Sequence, residues 1–88
     1  MQRYYFHLYA PKLMRDELGV ELPGLAAATA VCRRSIAELI SEQIVRQEVV
    51  DLQHRIDVES DDGVCLVIRF SDLFTNSASG EPQQMVRQ

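Results

Sequence analysis

The sequence predicts an α+β domain of the pattern ββαββ, with one helix laid on a four-stranded sheet. Three observations carry this expectation. Apolar residues alternate with polar or aromatic ones at both ends of the chain, the two-residue period of a strand. Between residues 25 and 47 the apolar period lengthens to three and four. Pro- and Gly-containing breaks separate the two regimes.

Residues 3–9, Arg-Tyr-Tyr-Phe-His-Leu-Tyr, read as the first strand, because aromatic side chains favour a pleated surface. Tyr4, Phe6 and Leu8 project to one face, and Tyr5, His7 and Tyr9 to the other. Pro11 and Lys12 end the run, and residues 13–15 form a short second strand. Asp16-Glu17-Leu18-Gly19 follows, with Asp first and Gly fourth as a type I turn prefers. Val20, Leu22 and Pro23-Gly24 then lead into the helix, whose N-cap is Gly24.

Leu25, Ala28, Cys32, Ile36, Leu39, Ile40 and Ile44 make the apolar stripe of that helix. Glu42 and Arg46 stand in the favourable i, i+4 order, worth roughly 0.3–0.5 kcal/mol. In the third strand, residues 54–60, Ile56 and Val58 face the core while Arg55, Asp57 and Glu59 face outward. The fourth strand, residues 64–70, is the most apolar, with Val64, Leu66, Ile68 and Phe70 on one face and Cys65, Val67 and Arg69 on the other. A three-residue loop, Asp61-Asp62-Gly63, keeps the apolar faces in register by pairing Ser60 with Val64, Val58 with Leu66 and Ile56 with Ile68.

The apolar fourth strand suits the sheet interior, and the charged third strand suits an edge, where charge discourages further pairing. The expected spatial order is therefore 2-1-4-3, a β-grasp-like sheet with the terminal strands parallel at its centre. The fully antiparallel order 2-1-3-4 is the alternative. The domain spans residues 1–74, and residues 75–88, rich in Ser, Gly, Pro and Gln, are expected to form a flexible C-terminal tail.

Composition bounds the function. An 88-residue chain has room for one small domain, whose thin core a dimer interface would supplement. A net charge of -4 disfavours a protein that grips nucleic acid by charge. The N-terminus lacks a secretory pattern, no apolar run is long enough to span a bilayer, and two cysteines do not make a disulfide scaffold. A cytoplasmic location is expected.

Arg3-Tyr4-Tyr5-Phe6-His7, the element Asp16-Glu17-Leu18-Gly19-Val20-Glu21-Leu22 and the alanine-rich start Leu25-Ala26-Ala27-Ala28 together resemble an uncharacterised family of short bacterial proteins, a domain of unknown function. Its members open with an RYFFH-like strand and continue with a D-x-x-G-x-E-L element. The resemblance spans residues 3–74 and implies no activity and no catalytic residues. Members carry an acidic residue where Gly24 stands, and the tail after Phe74 is longer than theirs.

The candidate partner-binding residues are Tyr5, His7, Tyr9, Cys65 and Val67, an apolar-aromatic group on the face that the helix leaves open; such patches mark partner surfaces. Arg55 and Arg69, opposed across the third and fourth strands, are candidate anion-binding residues, unless Asp57, diagonal to Arg69, neutralises them. His7 and His54 lie on opposite faces without further ligands, Asp61-Asp62 lacks a calcium-loop pattern, and no nucleophile elbow or phosphate loop is present. No metal, no cofactor and no enzymatic activity are expected. The leading functional reading is a small protein-interaction module that self-associates as a homodimer through its open sheet face. The alternatives are a single-stranded nucleic-acid binder using the same aromatics and, by fold analogy alone, an antitoxin-like regulatory partner.

Overall fold

A computed structural model describes residues 1–74; the expected tail lies outside the described residues. The elements run β1 Gln2–Tyr9, β2 Leu13–Met14, β3 Val20–Leu22, α1 Leu25–Val45, β4 Arg55–Ser60 and β5 Gly63–Arg69, closed by a 3-10 turn at Phe70–Leu73. One helix packs on one face of a five-stranded antiparallel sheet, confirming the α+β class.

The sheet order is β2-β1-β4-β5, with β3 pairing β1 as well. In terms of the four expected strands this is 2-1-3-4, so the β-grasp-like order 2-1-4-3 is corrected. The charged strand β4 lies in the sheet interior, antiparallel to β1 on one side and β5 on the other, while the apolar β5 lies at the edge. The reason is local. The outward residues of β4 meet polar and aromatic partners on β1: Arg55 stands opposite Tyr9, Asp57 opposite His7 and Glu59 opposite Tyr5. Charge on one face of a strand says nothing about its edges, which are decided by backbone hydrogen bonds running in the plane of the sheet.

The fifth strand is β3, three residues that the sequence reading took as an approach to the helix. It pairs Leu22, Glu21 and Val20 with Gln2, Arg3 and Tyr4, whereas β2 pairs with Leu8 and Tyr9 further along β1. Two short strands thus share one edge of β1, with a gap between them. Ala10–Pro11, in the β1–β2 connection, is a cis peptide.

The β4–β5 register pairs Ile56 with Ile68, Val58 with Leu66 and Arg55 with Arg69, as the apolar alternation requires. The turn differs from expectation. Ser60 pairs with Gly63 rather than Val64, leaving Asp61-Asp62 at the tip, and a β-bulge beside Val64 and Cys65 absorbs the extra residue before Leu66. Gly63, at φ 105°, supplies the positive dihedral that closes the turn.

The core gathers Ala28, Cys32, Ile36 and Ile40 from α1 over Tyr4 of β1, Ile56 and Val58 of β4, Ile68 of β5 and Phe70 of the closing turn. Phe6, Leu8, Leu39 and Leu66 pack at its border. The helix stripe is shorter than the sequence suggested: Leu25 and Ile44, at its two ends, are exposed because the helix overhangs the sheet. Gly24 caps with backbone only, its carbonyl accepting the Ala28 N–H at 3.1 Å.

Candidate functional site

On the face opposite α1, β1 contributes Tyr5, His7 and Tyr9, and β4 contributes Arg55, Asp57 and Glu59. The structure brings the five partner-binding candidates and both arginines to this side of the sheet or its β5 border, but it does not leave them equally available. Their surroundings divide the face into a covered half along β1 and a bare half along β5.

The covered half centres on His7, which is 5% exposed. The segment joining β2 to β3 folds over it. The backbone N–H of Asp16 donates to His7 Nδ1 at 3.1 Å, and His7 Nε2 lies 2.8 Å from Glu59 Oε1. A backbone N–H can only donate, so Nδ1 is the acceptor, and the ring proton sits on Nε2, where it is donated to the Glu59 carboxylate. Both ring nitrogens are engaged, and the Tyr5 ring stacks against the imidazole with centroids 6.4 Å apart and planes 5° from parallel.

Asp16 does further work in the same place. Its carboxylate accepts the N–H groups of Leu18 at 3.2 Å and Gly19 at 3.1 Å, closing the turn, and that of Phe6 at 3.1 Å. Phe6 lies in the stretch of β1 between the partners of β3 and those of β2, so a side chain fills the gap in the ladder. Partial burial opposes ionisation of Asp16, yet the three N–H bonds, from Gly19, Phe6 and Leu18, hold its carboxyl below the ordinary value of 3.8.

Arg3 joins the other end of the same turn, donating to the Leu18 carbonyl at 2.7 Å and pairing with Glu21 at 3.2 Å. Gly19, at φ 69°, lies so close to β1 that a β-carbon there would stand 2.9 Å from both Arg3 Cγ and Tyr5 Cε2. The two sequence motifs, Arg3–His7 and the Asp16–Leu22 element, are therefore two halves of one clasp. The sequence reading saw the turn but not its target, because nothing in a linear pattern says which distant strand an aspartate will cap.

Tyr5, His7, Asp16, Glu59 and Asp61 border a cleft of about 450 Å3, whose remaining wall includes Arg15 and Glu17. Carboxylates outnumber the single guanidinium around it, so its field favours cationic or neutral groups over phosphate. With His7 donating to Glu59 and accepting from Asp16, the ring offers no free nitrogen to act as a base toward anything in the cleft.

The bare half lies toward β5. Val67 stands opposite Asp57 and is 44% exposed; Val64, opposite Glu59, is 59% exposed. Cys65 is an exposed free thiol, its Sγ 3.5 Å from the Val58 carbonyl, whereas Cys32 is a free thiol sealed beneath the sheet. Arg55 and Arg69 are opposed, as the register requires, and their repulsion is relieved on one side only. Arg55 donates to Asp57 at 2.9 Å and lies 4.0 Å above the Tyr9 ring, a cation–π contact. Asp57 thus bonds its own strand neighbour rather than Arg69, and among the described residues Arg69 has no ion-pair partner. Among the described residues, no group of three or more His, Cys, Asp or Glu side chains could hold a metal ion, and no helix is long and apolar enough to cross a membrane.

These elements define a small α+β domain built on a motif clasp along its first strand. Residues 3–71 match the family described as Domain of unknown function (DUF6894), and the chain belongs to that family. No curated protein and no solved structure matches the chain.

Proposed function

We propose that this chain is a small cytoplasmic bacterial protein whose task is association with protein through the open sheet face, at its β5 side. The observation that carries this reading is the run of Val64, Cys65 and Val67, exposed together on the half of the face that no described segment covers, with the Tyr9–Arg55 pair at the Val67 end. Apolar surface flanked by an aromatic ring and a guanidinium has the composition of a protein interface core and rim. The nucleic-acid reading gains less support. Arg55 is already neutralised by Asp57, and the half-buried Tyr5 borders a cleft rich in carboxylates. We assign the chain no catalytic role: His7 has both ring nitrogens committed, to Asp16 and Glu59, and the other histidine beside a carboxylate, His54 at 3.5 Å from Asp51, lies outside the cleft.

The test uses the full chain and a Tyr9→Ser/Val67→Ser variant, compared by sedimentation and by affinity capture from native lysate. Association, with itself or with a captured protein, that the variant loses is the expected result. A chain that stays monomeric at high concentration, with capture profiles identical for both forms, overturns the reading.

A further inference from the structure

We infer that the partner on this surface is a second copy of the chain, docked antiparallel along the outer edge of β5 so that two sheets continue into one. This rests on the reading of the β5 side as an association surface and adds its occupant and geometry.

Among the described residues, β5 pairs with β4 alone; the Asp72 carboxylate accepts the backbone N–H of Arg69 at 2.9 Å, and the remaining outward backbone groups of β5 form the long free edge of the sheet. The opposite edge is managed differently: β2 and β3 have two and three residues, and Asp16 fills the space between them. Natural edges are usually blunted by brevity, proline or charge along the strand. Over seven residues, β5 has no proline and one charge, Arg69, at its last position. The bulge near Val64 and Cys65 bends its start without interrupting it.

The charges name the occupant. Asp61 and Asp62 precede β5 and Arg69 ends it, with only apolar residues, cysteine and Gly63 between; Asp72, beyond that end, is held on the Arg69 backbone N–H, and the Arg69 guanidinium has no ion-pair partner among the described residues. An edge with two carboxylates at one end and an unpaired guanidinium at the other is complementary to its own copy run in reverse. Full overlap of two such strands centres on Leu66. It sets Arg69 of each copy against Gly63 of the other, beside the Asp61-Asp62 tip, and gives the unpaired guanidinium two carboxylates. Cys65 of each copy then faces Val67 of the other, which puts the two exposed thiols in diagonal positions about 7–8 Å apart.

The experiment is sedimentation equilibrium on the full chain, with three companions. Arg69→Glu is expected to weaken dimerisation at least tenfold, and Arg69→Glu combined with Asp61→Arg and Asp62→Arg to restore it, which also shows that the single variant did not fail by misfolding. A short bis-maleimide is expected to join the dimer through Cys65, since Cys32 is sealed. Association that responds to Tyr9→Ser/Val67→Ser but ignores Arg69→Glu and gives no Cys65 cross-link sinks the edge pairing while sparing the face. A wild-type chain that is monomeric, and dimerises only after residues 75–88 are removed, also overturns it, because the tail then holds the edge.

Discussion

The backbone N–H of Asp16 donates to Nδ1 of His7 across 3.1 Å, and this one bond fixes the tautomer of a buried ring in the sheet. Nε2 is left to donate to Glu59 at 2.8 Å. Long-range nitrogen-15 NMR correlations of the His7 ring are expected to show an unprotonated Nδ1 and a protonated Nε2. His7→Phe fills the space but strands the Asp16 N–H and the Glu59 carboxylate, and is expected to cost about 1–3 kcal/mol, read from urea midpoints.

Asp16 itself is the larger contributor. Its carboxylate accepts three backbone N–H groups, whereas the solvent-exposed Arg3–Glu21 pair contributes under about 1 kcal/mol. Asp16→Ala is expected to destabilise by about 2 kcal/mol and Glu21→Ala by less than half of that. The pH dependence has a definite sign. A carboxyl held below 3.8 in the folded state contributes stability that is present above about pH 4 and is lost as pH falls through the folded value. Chemical denaturation between neutral and strongly acidic pH should therefore show an acid limb that is shallower in Asp16→Asn.

Gly19 combines a positive φ with contacts that leave no room for a β-carbon. Gly19→Ala is expected to lower stability by at least about 1–3 kcal/mol, visible as a drop in Tm, because dihedral strain and the clash with Tyr5 and Arg3 act together. Gly24→Ala, where the backbone is extended and no atom approaches the added carbon, should be tolerated.

The two thiols should separate cleanly in reactivity. Burial pushes the Cys32 thiol up to about 11, against a small opposing effect of Arg33, whereas Cys65 is exposed. Iodoacetamide at mildly alkaline pH is expected to modify Cys65 alone until urea unfolds the chain. The raised value also gives an alkaline limb: stability attached to Cys32 is complete below pH 9 and is lost as pH rises toward 11. Equal labelling of both thiols in the folded protein would contradict the packing of α1.

The periodic parts of the fold were legible in the sequence. Ala28, Cys32, Ile36 and Ile40 declared the helix, and Ile56, Val58, Leu66 and Ile68 declared a hairpin and its register, because burial of one face forces the spacing. Strand order was less legible. The charges of Arg55, Asp57 and Glu59 suggested an edge, but they record only what the face meets, and that face meets Tyr9, His7 and Tyr5. β3 escaped notice because three residues carry no period, and its partners lie far back in the chain. Of the candidate site residues, Cys65, Val67 and Arg69 are exposed, and Tyr9 is half-buried beneath Arg55. His7 shares that side yet is covered, since two-residue alternation assigns a face and cannot foresee a loop folding over it.

The pairing of β1 with β4 has a consequence for the time order of folding. His7 and Glu59 are 52 positions apart, and the whole helix lies between them. The helix, the β4–β5 hairpin and the short pairings of β1 with β2 and β3 can form from neighbouring residues, whereas the long β1–β4 pairing, the one that seats His7 on Glu59, must wait for both ends of the domain to meet. Pulse-labelled hydrogen exchange during refolding should protect amides of α1 before those of Tyr5 and His7. The edge of β1 that carries the clasp can thus close early, while its other edge stays open until β4 arrives, and for that interval its four aromatic rings are a charge for chaperones rather than for the domain itself.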